Sequence, residues 1–197
     1  MNPTRITADE TSRVSLSIGL IVAVAAIGGV IFLALTAHAA KKKMTGFDPN
    51  RPVPSDAELR ARLSEDQYRV TRQNGTETSF RNEYWNNERA GLYVDVATGE
   101  PLFTSLDKFD GGTGRPCFTK PISKDLIVEK KDSSHDMERT EVCARRSNSH
   151  LGHVFDDPKS PTRQRYIVNS AAFRFIPVER MKQEDYGQYL TLFEQKK

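Results

Sequence analysis

Two histidines three positions apart, His150 and His153, and two cysteines, Cys117 and Cys143, carry most of the reactive chemistry in this chain of 197 residues. His-x-x-His is a ligand spacing for transition metals. No cysteine or third histidine shares that run, so metal ligation is the lesser reading. The cysteines belong to no Cys-x-x-Cys pair, which argues against a zinc knuckle. They could form one disulfide in an oxidising compartment or stay as two buried thiols in a reducing one, and spacing leaves both open. Arg115, two residues before Cys117, is placed to lower that thiol's pKa and make it a nucleophile; a small, packed, inert residue is the plainer alternative. Asp156-Asp157 and Glu129-Lys-Lys-Asp132 read as solvated turn charges.

These groups need a scaffold, and the pattern around them is β. Leu92–Val96, Leu126–Val128, Arg139–Cys143, His150–Phe155, Arg165–Asn169 and Ala172–Ile176 are short strand-like runs between turn signals. Asp110-Gly-Gly-Thr-Gly114 is too rich in glycine for strand or helix. Ahead of the strands, Ser55-Asp56 caps a short helix with Leu59 and Leu63 on one face, and Ser64–Tyr68 continues it or starts another. The result is a mainly β domain of antiparallel sheets with a helical prelude, over residues 57–180. Residues 41–56 read as a linker and residues 181–197 as a C-terminal tail or helix. A net charge of +3, with acidic and basic residues interspersed, gives no reason to expect a nucleic-acid partner.

The N-terminal tail, residues 1–13, precedes a different kind of segment. No charged side chain occurs between Arg13 and Lys41, and residues 14–40 are long and apolar enough for a single transmembrane helix. Lys41-Lys-Lys43 follows it like a stop-transfer cluster and favours a cytoplasmic domain. Ala37-His-Ala39 offers a signal-cleavage pattern, which would place the domain outside the cytoplasm. The poorly basic start and the length of the apolar run favour a membrane anchor over a signal.

Tyr68-Arg-Val-Thr-Arg72, Asn82-Glu-Tyr-Trp85, Phe118-Thr-Lys-Pro-Ile122, Arg139-Thr-Glu-Val142, Ser149-His-Leu-Gly-His-Val-Phe155 and Asn169-Ser-Ala-Ala-Phe-Arg-Phe-Ile-Pro177 occur in one order. Together they make residues 63–178 resemble the B-type peptide methionine-R-sulfoxide reductases. That resemblance implies a fold of two antiparallel sheets. It also implies reduction of protein-bound methionine-R-sulfoxide by a cysteine thiolate, through a sulfenic acid that a second thiol or a thioredoxin-like partner resolves. An external thiol is the only reductant such a protein needs, with no further cofactor. By the same resemblance His150 and His153 bind and protonate the sulfoxide oxygen, and Asp157 orients a histidine. Arg165 stabilises the thiolate, Asn169 lies beside the nucleophile, and Arg115 and Phe118 border the substrate pocket.

The departures from the family pattern fall at this site. Ile167 occupies the position of the nucleophilic cysteine, and a hydrocarbon cannot attack sulfur. Arg115 stands where the family keeps a tryptophan against the substrate methyl, and Thr113 where some members keep a resolving cysteine. Asp95, Thr98, Ala144 and Ser147 hold the four zinc-cysteine positions, so the chain resembles the zinc-free branch. The expectation is a membrane-anchored reductase domain with weak or absent activity. The alternatives are a pseudo-enzyme that binds oxidised methionine, a structural subunit of a membrane complex, or an enzyme using Cys117.

Overall fold

The computed structural model describes residues 46–194, which belong to one compact unit, Thr45–Lys197. The apolar segment 14–40 lies outside the described residues. Among those described, no helix is long and apolar enough to cross a membrane.

Two short helices open the domain, α1 (Asp56–Arg62) and α2 (Glu65–Gln73), and each begins with a capping box. The Ser55 hydroxyl accepts from the Glu58 amide while Glu58 returns a bond to the Ser55 amide, and Ser64 and Gln67 repeat the arrangement. Ser64 therefore starts a second helix instead of extending the first. Asn74 ends α2 in the left-handed region at φ 54°, as an Asn-Gly turn requires.

Nine strands follow: β1 (Gly91–Asp95), β2 (Pro101–Thr104), β3 (Lys108–Phe109), β4 (Cys117–Phe118), β5 (Ile127–Asp132), β6 (Arg139–Ala144), β7 (His150–Asp156), β8 (Gln164–Val168) and β9 (Phe173–Pro177). They form two antiparallel sheets, β2-β1-β9 and β3-β4-β8-β7-β6-β5, in agreement with the expected fold. Sequence pattern alone missed β2, β3 and β4. The first begins on Pro101, which an edge strand tolerates, and the other two are a pair of residues each.

The main core lies against one face of the larger sheet. Tyr93, Phe103 and Phe118 meet there, with ring centroids 5.0 Å apart for Tyr93–Phe118 and 4.7 Å for Phe103–Phe118. Val142, Val154, Tyr166 and Val168 join them, each pointing inward from its strand. A second cluster packs Leu92, Val94 and Ile176 against Met181 and Tyr186, so the C-terminal segment contributes core residues. The short helix α3 (Thr191–Glu194) closes the described chain.

Candidate functional site

Because successive side chains on a strand alternate between faces, the inward set of the larger sheet dictates the outward set. With Tyr166 and Val168 in the core, Arg165 and Ile167 must face the other way. The register extends this across the sheet: Cys117 pairs with Ile167, Ile167 with His153, His153 with Glu141, and Glu141 with Lys130. One row on the outer face thus runs Cys117, Ile167, His153, Glu141, Lys130. Ile167, almost completely buried at 8% exposure, sits directly between a thiol and an imidazole.

Strict alternation would send His150 and His153 to opposite faces, since they are three residues apart. A β-bulge prevents this. The register passes from Val142↔Gly152 to Cys143↔His150, so β7 carries one extra residue and both histidines reach the outer face. Their rings lie 5.5 Å apart, edge to face. The bulge needs Gly152: its φ is 152°, and a Cβ there would stand 2.2 Å from the Ile167 carbonyl oxygen.

Each histidine is held by a carboxylate that sequence reasoning did not assign to the site. The Nδ1 proton of His150 is donated to Glu141 Oε1 at 2.7 Å, and the Nε2 proton of His153 to Asp132 Oδ2 at 2.7 Å. Asp132 also accepts from Arg139 at 2.7 Å and from the Ser134 amide. The bonds from Ser134, then from His153, hold its carboxyl far below the usual carboxylate range. Burial lowers the His153 pKa, outweighing the Asp132 bond that would raise it, so His153 is neutral at pH 7 with Nδ1 bare. His150 is 3% exposed, and its Nε2 has no hydrogen-bond partner among the described residues. Both rings line a cleft of about 630 Å³ with Asn74, Thr76, Arg139 and Met137. Each carboxylate has a histidine partner, while His150 Nε2 and the buried Arg139 Nε have no hydrogen-bond partner among the described residues. Such a cleft suits a polar ligand that can pair with those two nitrogens.

The other expected site residues are distributed differently. Arg165 shares the outer face with Ile167, but Asp157 serves it and neither histidine: Asp157 Oδ2 lies 3.6 Å from Arg165 Nε, and the other oxygen accepts from the Lys159 amide. Asp132, read as a solvated turn charge, replaces Asp157 as a histidine partner because the β5–β6 hairpin carries it beside β7. Phe118 belongs to the core: alternation opposite Cys117 turns it inward at 0% exposure. Asn169 is equally buried. Its Oδ1 accepts from the Glu77 amide and its Nδ2 donates to the Leu151 carbonyl, so the amide ties two segments together and has no free end.

Arg115 stands on the loop over this row, near Cys117 and Glu77, and burial depresses its pKa. The same loop seals Cys117. Its Sγ lies 3.4 Å from Thr113 Oγ1 and 3.5 Å from the Arg115 carbonyl, and a Cβ at Gly111 would come within 2.5 Å of it. Burial raises the thiol's pKa, more than Arg165 and Arg115 lower it. Cys143, on the same face as His150, is pushed up to about 11, chiefly by burial. Both thiols are free. From β4 to β6 there are three strand spacings, roughly 14 Å, so a Cys117–Cys143 disulfide is out of reach. At the positions compared above with zinc cysteines, Thr98 Oγ1 donates to Asp95 at 2.7 Å and Ser147 Oγ donates to Ser149 Oγ at 2.8 Å.

The sequence has counterparts among known proteins. The SelR domain family matches residues 63–177. The peptide methionine sulfoxide reductase MsrA/MsrB of Vibrio cholerae serotype O1 is 54% identical over 140 residues, which is 71% of this chain and 37% of that protein. The chain therefore spans well under two thirds of the length of this curated relative.

Proposed function

We propose that this chain, which belongs to the SelR domain family, recognises methionine-R-sulfoxide in proteins and, with Ile167 in place, reduces it weakly or not at all. The observation that carries this reading is the outer face of the larger sheet. It keeps the proton-bearing side of the site, with His150 Nε2 buried and unpartnered at the cleft, and puts a hydrocarbon beside it.

A sulfoxide brings one strong acceptor, its oxygen. A protonated His150 Nε2 would donate to that oxygen, with Glu141 fixing the ring from the other side. Reduction then needs an electron pair delivered to sulfur by a thiolate, forming a sulfenic acid as oxygen leaves. Ile167 has no such pair. Cys117 is one strand spacing away, about 4.8 Å, but its sulfur is enclosed by the loop and its pKa is raised, which counts against it as the attacking group. An external thiol or thioredoxin-like protein would matter only to a form that reacts.

The hydrogen-bonded pairs Asp95–Thr98 and Ser147–Ser149 support a place in the zinc-free branch. The apolar run at 14–40, followed by Lys41-Lys-Lys43, supports single-pass anchoring in a membrane.

The test is turnover of a methionine-R-sulfoxide peptide by the full chain with excess dithiothreitol, beside Ile167→Cys and Cys117→Ser. The expected result is little or no turnover by the native chain and by Cys117→Ser, and a clear gain in Ile167→Cys. Native turnover that disappears in Cys117→Ser would overturn the reading.

A further inference from the structure

Phe80 is out of place by two independent measures. Its backbone is left-handed, φ 61°, a region that bulky residues avoid, and its ring is 57% exposed. It fills no core. Yet it is held firmly: its amide donates to the Gly114 carbonyl at 2.8 Å, and its ring meets Trp85 edge to face at 5.3 Å. Gly114 is itself shaped to this contact, with φ 68° and room for a Cβ only at 2.5 Å from the Phe80 nitrogen. A strained backbone that keeps an apolar ring in water points to a use outside the fold.

The position of the ring indicates the use. Asn74 and Thr76 line the histidine cleft, and the chain runs from there past Glu77 to Phe80. Four residues span at most about 13 Å, so Phe80 lies within that distance of the cleft wall at Thr76, a gap that about four residues of an extended bound peptide can cover. Gly114, which receives the Phe80 amide, immediately precedes Arg115 on the loop that leads into β4, where Cys117 pairs with Ile167.

We infer that Phe80, backed by Trp85, is a seat for an apolar side chain close to the oxidised methionine, so that the domain takes methionine sulfoxide within a peptide flanked by hydrophobic residues. This deepens the proposed function and rests on its placement of the sulfoxide. The partner is apolar because the exposed face of the Phe80 ring is apolar, and covering it removes apolar area from water.

The experiment measures binding to the full native chain, Phe80→Asn, Phe80→Tyr and His150→Ala by calorimetry. The probes are N-acetyl-methionine-R-sulfoxide methylamide and two octapeptides, with leucine or with glycine flanking the sulfoxide. The native chain should bind the leucine peptide about tenfold more tightly than the glycine peptide, a fold expected for covering much of one aromatic ring. Phe80→Asn should erase that preference without weakening the methylamide, and Phe80→Tyr should keep it. Because asparagine tolerates the left-handed backbone, Phe80→Asn should melt no lower than the native chain. Equal affinity for the two octapeptides overturns the inference, as does an unchanged preference in Phe80→Asn. So does a parallel loss of stability and of all binding in that variant. A Phe80-dependent preference that is indifferent to His150→Ala, with no methylamide binding, would sink the sulfoxide placement and leave the apolar seat standing. If no probe binds, both fall.

Discussion

Gly152→Ala is the sharpest test of the geometry on which the site depends. The added Cβ would stand 2.2 Å from the Ile167 carbonyl oxygen and 2.8 Å from the Val168 Cα, both backbone atoms of the neighbouring strand. A normal contact needs about 1 Å more, and backbone on a paired strand cannot move that far without breaking the β7–β8 ladder. Forcing the overlap costs about 1–3 kcal/mol, and a non-glycine residue in this backbone region about 1–3 kcal/mol more. A combined loss of about 2–6 kcal/mol is expected, a large part of the ~5–15 kcal/mol that holds a typical domain together. At roughly 2–4 °C per kcal/mol, the melting midpoint should fall by about 4–24 °C. The functional consequence is separate. If the bulge flattens to relieve the overlap, one histidine turns to the core face, and sulfoxide binding should fail even at temperatures where the variant is folded. Thermal melts followed by circular dichroism, with calorimetric titration of a sulfoxide peptide below the midpoint, read both effects. A midpoint within about 2 °C of native, with binding intact, would refute the close approach and the argument that the bulge is what unites the two histidines.

Acid should weaken the fold in two stages. The folded-state pKa of His153 is below its ordinary value of about 6.5, so the unfolded chain binds more protons and stability falls as pH drops below about 6.5 towards the folded-state value. Asp132 is also depressed, so its contribution is present above its ordinary pKa of about 3.9 and is lost as pH falls through its folded-state value. Denaturation midpoints from pH 7.5 to 3 should show both declines, and His153→Gln should flatten the upper one; stability that rises from pH 7 to 5.5 would contradict the assignment. Both cysteines are buried with raised pKa values, so the native chain should react with a thiol reagent at pH 8 only after unfolding, and one promptly labelled thiol would refute this. Asn169→Ala should cost about 1–3 kcal/mol by leaving the Glu77 amide without its acceptor, while the folded variant binds a sulfoxide peptide as the native chain does. Weakened binding without loss of stability would return Asn169 to the cleft.

The parts of the site that could be read from the sequence are those that depend on local periodicity. The alternation of Arg165, Tyr166, Ile167 and Val168 assigns faces as soon as Tyr166 and Val168 are taken as core. The capped start of α1 and the Asn-Gly turn after α2 were equally plain. The expected strands from Leu92 to Ile176 match their positions in the sheets to within a few residues. What the pattern could not supply is register between strands. Cys117 lies in a two-residue strand, too short for any period to show, and only pairing reveals it beside Ile167. Asp132 looks like one more charge in Glu129-Lys-Lys-Asp132 until the β5–β6 hairpin sets it against His153. Resemblance pointed to the histidines and Arg165 because those residues occupy named motif positions, and the structure places all three on the outer face of the larger sheet. It gave Asp157 to a histidine and Phe118 to the pocket, where the structure gives Asp157 to Arg165 and Phe118 to the core.

The His-x-x-His spacing shows why the two kinds of reading diverge. Taken as a strand pattern, an odd spacing separates the rings; taken as a motif, it unites them, and neither reading contains the cause. The cause is Gly152, whose missing Cβ lets β7 come against the Ile167 carbonyl with one residue to spare. The main-chain atoms of residue 167 therefore belong to the framework that aligns the histidines, although its side chain is a hydrocarbon. A substitution at 167 that changes only the side chain leaves that backbone contact alone. This is the structural reason to expect Ile167→Cys to restore chemistry in place, with no remodelling of the sheet, and to expect a sulfoxide to find its donors without it.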